Sequence, residues 1–455
     1  MARFDVAAAD IADALREGLE SGDYSALVGR YASDAQLDAG LAGERALVVG
    51  PAAIARRFAE WWPGRAELVE WSCEAHPNGI AVWWERVDHD GAAHRQRHYL
   101  HVEDGHVTRH WAYAAPPRTT APNADDDETA ARAFSAVGPV ARREVVASSG
   151  WSGNRIERAV LEDGRRLIAK RVVPGADWLG RETLDRGREG LLFSSGALAR
   201  LPAAIDTTVI TATEADGAWW IVMRDVEGAL LDDDGPIPRA RHRQAMAAAN
   251  TMWDEFWGER LDALAPLALR LRCAAPSTAE RERDGLDLLP NQLEAAWAGF
   301  AEAADEDVTG PVLRLVEDPA PLVAALEGRG TTLIHGDLRD EQMGFEDERM
   351  ILIDWGLATQ GHPVVELAWY LMHNGWRIEG TRDELVEDFR GARGDADDLD
   401  ALQLGYVAGL VMYGWVIGHS AVIHPDPAER AWAREELGWW VPRVRTALER
   451  TGALA

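Results

Sequence analysis

Cysteine is nearly missing from this chain: 455 residues hold two, Cys73 and Cys273. They stand about two hundred residues apart, and neither has a Cys/His ligand spacing around it, so disulfide scaffolds and zinc modules are excluded and a reducing, cytoplasmic setting is expected. Positive charge is also short. Lys and Arg total 47 against 76 Asp and Glu, a formal net charge of −29. Such a surplus of carboxylates repels phosphate, so neither nucleic acid nor an anionic membrane is expected as a partner, while a cationic small molecule remains compatible. The N-terminus carries no basic-then-apolar targeting segment. One uncharged run, residues 404–423, is long enough to span a membrane, but Gly405, Gly409, Gly414 and Gly418 with Gln403 and His419 read as a tightly packed core helix.

Hydrophobic residues make up 47% and charged residues 27% of the chain, the balance of a folded protein whose length calls for more than one domain. The stretch "APPRTTAPNADDDE" cannot bury much and marks residues 116–129 as an acidic linker. Before it, residues 6–31 are helical in pattern, and Pro51 opens a second helix. Three strand-like runs follow, with Asp90-Gly91 and Asp104-Gly105 as hairpin turns. Residues 1–115 therefore form an α+β unit, helices followed by an antiparallel meander. With "SGDYSALVGRYASDAQLD" leading it, this unit resembles the nuclear transport factor two-like, or SnoaL-like, cone. Such a cone can bind a ligand, form a homodimer, or cover a neighbouring cleft. If it were itself catalytic, Asp34, Asp38, His98 and His110 would be the candidates.

Beyond the linker, residues 130–228 read as a strand-rich lobe and residues 229–455 as a helical one. The most informative stretch is "TTLIHGDLRDEQMGFEDERMILIDWG". Between Gln342 and Asp354 an apolar run, the acidic turn Glu346-Asp347-Glu348-Arg349 and a second apolar run predict a β-hairpin centred near residue 348. Residues opposed across such strands lie within about 5 Å. An amide oxygen and a carboxylate brought together in this way suit Mg²⁺, which completes its shell with water and phosphate oxygens. Asp337, on the loop just before, can approach a substrate hydroxyl.

His335-Gly336-Asp337, with Gln342 five residues on and Ile353-Asp354-Trp355-Gly356 after it, resembles the aminoglycoside phosphotransferase and choline kinase family. The resemblance implies a bilobal kinase-like fold and ATP- and Mg²⁺-dependent phosphorylation of a small-molecule hydroxyl. It implies Asp337 as catalytic base, His335 as a brace, Glu366 as a pin for the loop, and Asp354 and Gln342 as metal ligands. Gln342 is longer by one methylene than the usual Asn, a departure shared by related sugar kinases. Arg339 stands where protein kinases place a lysine near the transferred phosphate; a surface arginine paired with Asp340 or Glu341 is the other reading. In the strand-rich lobe, Lys170 in "RLIAKRVV" is expected on the α- and β-phosphates, with Glu189, or Glu182 as second choice, holding it. Ser149, Gly150 and Gly153 of "SSGWSGN" form the phosphate-covering turn, and Met223, Arg224 and Val226 the hinge for the base. Tryptophans of the helical lobe and the acids Asp340 and Glu341 point to a sugar-like or cationic acceptor. The reading from another class is a pseudokinase-like nucleotide- or ligand-binding scaffold in which Gln342 has cost the second metal site and the N-terminal cone carries the function.

Overall fold

The computed structural model describes residues 2–451 apart from 42–43, 66, 77–78, 88–92, 104, 116–123, 147–154, 232–234, 283–287, 423 and 425–426. Two compact units emerge: Met1–Asn123 with Arg281–Gln292 and His424–Glu429, and Ala124–Glu280 with Leu293–Ile423 and Arg430–Ala455.

The first unit opens with helix Ala2–Ser21 and the short helix Ser25–Val28, and helix Pro51–Trp61 follows further on. Its six-stranded sheet runs in the order Glu44–Val49, Tyr31–Leu41, His106–Ala115, Ala93–Glu103, Gly79–Val87, Glu67–His76. The helix expected over residues 6–31 stops at Ser21, where Gly22 turns with φ 77. Tyr31–Leu41 then pairs parallel with His106–Ala115, and Glu44–Val49 pairs with Tyr31–Leu41. Neither strand was anticipated, because small and polar residues dilute their alternation and Tyr31–Leu41 finds its parallel partner some seventy residues on. Glu103 pairs with His106 and Gly105 has φ 78, so the strands meet in a hairpin where Asp104-Gly105 was expected to turn, Asp104 itself lying outside the described residues like the turn expected at Asp90-Gly91. Ile11, Leu15, Leu19, Phe58, Trp62, Trp84 and Leu100 fill the core. His98 and His110 are buried in it, bonded to each other at 2.8 Å, with Tyr31 on His110 and Trp84 on His98. Asp34 is exposed, and the side chain of Asp38 is not among those described. His98 and His110 thus belong to a packed polar network of the core.

The second unit is bilobal. Residues 124–129, expected in the linker, form the first half of helix Ala124–Ser135. Ala130, Ala133 and Phe134 of this helix pack on one face of a five-stranded antiparallel sheet, against Ala159, Leu161, Leu167, Ala169, Trp220 and Val222. The strand order is Val209–Ala215, Ala218–Arg224, Arg166–Val172, Arg155–Leu161, Val140–Val146. On the other face Trp219, Ile221 and Met223 pack with Ile168, Val172 and Leu191. There helix Arg188–Ser194 lies so close to Trp219 that a Cβ on Gly190 would stand 2.2 Å from the indole.

The larger lobe is helical, and Leu399–Val422 is its central helix. Although long and apolar enough for a membrane span, 78% of its most hydrophobic window is buried inside the protein. Its glycines explain why: a Cβ on Gly405 would meet Val364 at 2.8 Å, on Gly409 Trp440 at 2.7 Å, and on Gly418 Phe300 N at 2.3 Å. The expectation of a tightly packed core helix holds.

Candidate functional site

Strand Thr332–Ile334 delivers the loop that begins at His335. Gly336 has φ 79, and a Cβ there would stand 2.0 Å from Leu357 O, so only glycine fits. The buried Glu366 carboxylate accepts the N–H of His335 at 2.8 Å and of Gly336 at 2.7 Å, together with the indole N–H of Trp253 at 3.3 Å. Burial pushes its carboxyl above the ordinary range even with His335 and these donors around it. Glu366 therefore fixes the loop by its backbone, as anticipated. His335 fixes it by its ring. Asp337 N–H donates to Nδ1 at 3.3 Å and Nε2 lies 3.0 Å from Ile353 O. The ring also meets Trp355 edge to face at 4.7 Å.

Asp337 is 9% exposed, and both of its oxygens are engaged: Oδ1 accepts from Trp369 Nε1 at 3.0 Å and Oδ2 from Arg339 Nε at 3.3 Å. Arg339 also reaches Glu341 at 2.7 Å. Burial works against its charge, but Asp337, Glu341 and Asp340 outweigh that and hold it firmly protonated. Asp340 pairs with the buried Arg377, and Asn374 Oδ1 takes the Asp340 N–H at 2.8 Å. The two acids that pointed from sequence to a cationic acceptor are thus both matched by arginines of the same chain, Glu341 by Arg339 as the other reading of that arginine had it and Asp340 by Arg377.

The hairpin forms, Met343–Glu346 against Arg349–Leu352, with Met343 opposite Leu352. Its centre falls half a residue earlier than the sequence symmetry suggested. Gln342 accordingly faces Ile353, whose N–H donates to Gln342 O at 3.0 Å, and Asp354 lies one residue beyond direct opposition. Asp354 adopts φ 61, ψ 70, which turns its side chain off the strand. The half-buried Gln342 ends a short 3₁₀ turn through its N–H to Arg339 O at 3.0 Å, and among the described residues no hydrogen bond engages its side-chain amide.

Asp354 Oδ1 accepts from Lys170 Nζ at 2.6 Å, and the same ammonium lies 3.6 Å from Glu189 Oε2. Glu189 is therefore the partner, as the first choice over Glu182 had it. Burial opposes the charge on Lys170, but Asp354 and then Glu189 outweigh it and raise its pKa. Burial pushes Glu189 up to about 7 against the pull of Lys170, whereas for Asp354 the pull of Lys170 overcomes burial and lowers its pKa. Asp354 keeps 39% of its side chain exposed and Glu189 only 2%, so Asp354 is the carboxylate open to a ligand. Two carboxylates share one ammonium and Asp354 is the open one; its carboxylate and the side-chain amide oxygen of Gln342, at the other end of the hairpin, are hard donors of the kind a divalent cation takes beside water and phosphate. Among the described residues no group of three His, Cys, Asp or Glu could hold a metal unaided.

Arg188, next to Glu189, is 2% exposed and ties its helix to Gly356 O, Thr183 O at 3.0 Å and Ala263 O at 3.3 Å. At the hinge, Met223 is buried one residue before the end of its strand. The Arg224 N–H is spent on Thr208 O at 3.0 Å and that of Asp225 on Arg166 O at 3.1 Å, while the Arg224 guanidinium pairs with Asp206 and Glu346. Arg224 N–H is thus not open to a nucleobase; among the described residues Val226 N–H has no acceptor. Ser149, Gly150 and Gly153 lie outside the described residues.

Sequence reading missed Trp369, Arg188, Arg377 and Asn374, which have no fixed spacing from the motif and reach it only through tertiary packing. It also passed over a strong signal in composition. Lys170 is the only lysine in a chain with 47 basic residues, and it sits in the ion cluster.

A model described as the phosphotransferase enzyme family matches residues 145–404. Among solved structures, the chain is similar to an aminoglycoside phosphotransferase from Streptomyces rimosus, with 18% identity over 64% of this chain and 99% of that one, TM-score 0.40. It is similar also to a choline kinase from Streptococcus pneumoniae, with 14% identity over 70% of this chain and 98% of that one, TM-score 0.40. A nuclear transport factor two-like protein of unknown function from Mesorhizobium loti is 19% identical over 24% of this chain and 93% of that one, TM-score 0.21. No curated protein matches the chain.

Proposed function

Because the chain belongs to the phosphotransferase enzyme family, we propose that it transfers the γ-phosphoryl group of ATP to a hydroxyl of a small molecule: an aminoglycoside, amino sugar, sugar or amino alcohol. The observation that carries this reading is the ion cluster of Lys170, Glu189 and Asp354, which joins a strand and a helix of the small lobe to the loop after the hairpin.

In the reaction the bond from the γ-phosphorus to ADP breaks, a bond to the acceptor oxygen forms, and the hydroxyl proton passes to Asp337. Lys170 exchanges part of its contact with Asp354 for the α- and β-phosphates while Glu189 keeps it oriented. Arg188 fixes the Glu189 helix against Gly356, so the two carboxylates stay in register with the ammonium. Arg339 offsets charge as it develops on the transferred group. Asp354 and Gln342 would hold Mg²⁺, which when bound neutralises phosphate charge. Val226 N–H is the hinge donor for the base. With Asp340 and Glu341 matched by Arg377 and Arg339, a positively charged acceptor gains little from either acid.

Acceptor-dependent ADP release, measured across a panel of aminoglycosides, amino sugars, neutral sugars and amino alcohols with ATP and Mg²⁺, tests the proposal. Release with at least one acceptor, strongly reduced in Asp337→Asn, is expected. An amine-acylating ATP analogue supplies an arm that needs no acceptor: it should modify Lys170, the only lysine, and excess ATP with Mg²⁺ should protect it. Protection without ADP release from any acceptor would leave the scaffold reading standing instead.

A further inference from the structure

We propose that Trp369 is a positioning residue for the Asp337 carboxylate, held in turn by Arg270; the proposal deepens the phosphotransferase reading and rests on it. The torsion that orients an aspartate carboxylate is broad and roughly two-fold, so a carboxylate on a loop presents no fixed lone pair unless a donor pins one oxygen. Here the Trp369 N–H meets Asp337 Oδ1 at 3.0 Å. The other donor, Arg339, is longer at 3.3 Å and is shared with the exposed Glu341, so it cannot set the carboxylate plane alone.

Trp369 is itself immobilised. The Arg270 guanidinium lies 4.2 Å from its ring centroid, and Arg270 is 3% exposed. The same guanidinium donates to Gly336 O at 3.1 Å, the carbonyl immediately before Asp337. One buried cation therefore fixes both the backbone that carries the base and the indole that orients it. His373 packs on the indole with centroids 4.2 Å apart and lies 3.0 Å from Trp369 O through Nδ1. With Oδ1 occupied by an immobile donor, the acceptor hydroxyl is directed to Oδ2, and Arg339 must yield part of its contact there as the hydroxyl and the phosphoryl group arrive. This is orientation supplied in advance, so its loss is felt in the chemical step.

Trp369→Phe keeps an aromatic ring for Arg270 to face while it removes the N–H together with the second ring of the indole. With an acceptor found in the panel, KM for ATP and for the acceptor should stay within about twofold of wild type while kcat falls roughly 10- to 100-fold, the effect of losing a hydrogen bond to a charged group. A second arm reads the full-length protein without any acceptor. In ¹⁵N-indole spectra the cross-peak absent from Trp369→Phe belongs to Trp369, and it should move in Asp337→Asn. Unchanged kcat in Trp369→Phe, or a Trp369 cross-peak indifferent to Asp337→Asn, would overturn the proposal. If no acceptor is turned over, the cross-peak alone decides, which separates this failure from failure of the phosphotransferase reading.

Discussion

Replacing Lys170 with methionine leaves two carboxylates facing each other with no cation between them, and the structure says which will suffer. Asp354 keeps 39% of its side chain in solvent and can regain water; Glu189, at 2%, cannot. Removing one partner of a buried pair costs about 3–5 kcal/mol, mostly as the uncompensated charge left behind. Glu189 can avoid that cost by taking up a proton, which makes the penalty depend on pH. A carboxyl whose folded pKa lies above its ordinary value contributes stability that is present below the unfolded value and lost as pH rises through the folded one. In the wild type that loss ends near the Glu189 value of about 7. Without Lys170 the folded value climbs and the loss continues at about 1.4 kcal/mol per pH unit. Variant and wild type should therefore differ least below pH 7 and separate by about 3 kcal/mol near pH 9. Urea unfolding from pH 6 to 9 measures this, and Lys170→Met combined with Glu189→Gln should erase the pH-dependent part. A constant offset across that range, or a double variant as pH-sensitive as the single one, would refute the reasoning.

In the first unit, burial drives the His98 pKa down to about 3, so its stability is present above about 6.5 and lost as pH falls: roughly 2 kcal/mol by pH 5 from this residue alone. A melting temperature that drops between pH 7 and 5, less steeply in His98→Asn, checks it. Gly418→Ala puts a methyl 2.3 Å from Phe300 N and should cost about 1–3 kcal/mol in urea unfolding, because backbone cannot step aside as a flexible side chain can. Asp354→Ala should weaken nucleotide binding with Mg²⁺ far more than without it in calorimetry, whereas Gln342→Asn should keep most of the Mg²⁺ dependence if the amide oxygen is a ligand. Asp337→Asn should leave nucleotide affinity nearly intact and slow transfer about 10²–10⁴-fold in the ADP-release assay.

What the chain order could reveal was whatever depends on short spacing. The hairpin between Gln342 and Asp354 was legible because apolar runs flank an acidic turn, and Glu189 because the helix follows its lysine strand. The exact register was not: Gln342 faces Ile353, and the left-handed Asp354 then supplies the turn that symmetry had assigned to the strand. Strands Tyr31–Leu41 and Glu44–Val49 were hidden for a related reason, since their pairing partners include a strand some seventy residues away and their own alternation is weak. By itself the sequence determined the chemistry available, namely one lysine, a loop with Asp337, and an amide and a carboxylate at the two ends of a hairpin, because covalent order fixes which groups can neighbour one another locally. Only the tertiary structure decided which groups are free. It spent Asp340 and Glu341 on Arg377 and Arg339, closed the Arg224 N–H, and brought Trp369 to Asp337 and Arg270 to Trp369 and Gly336 O, because burial favours polar groups that find partners and distant segments supply them.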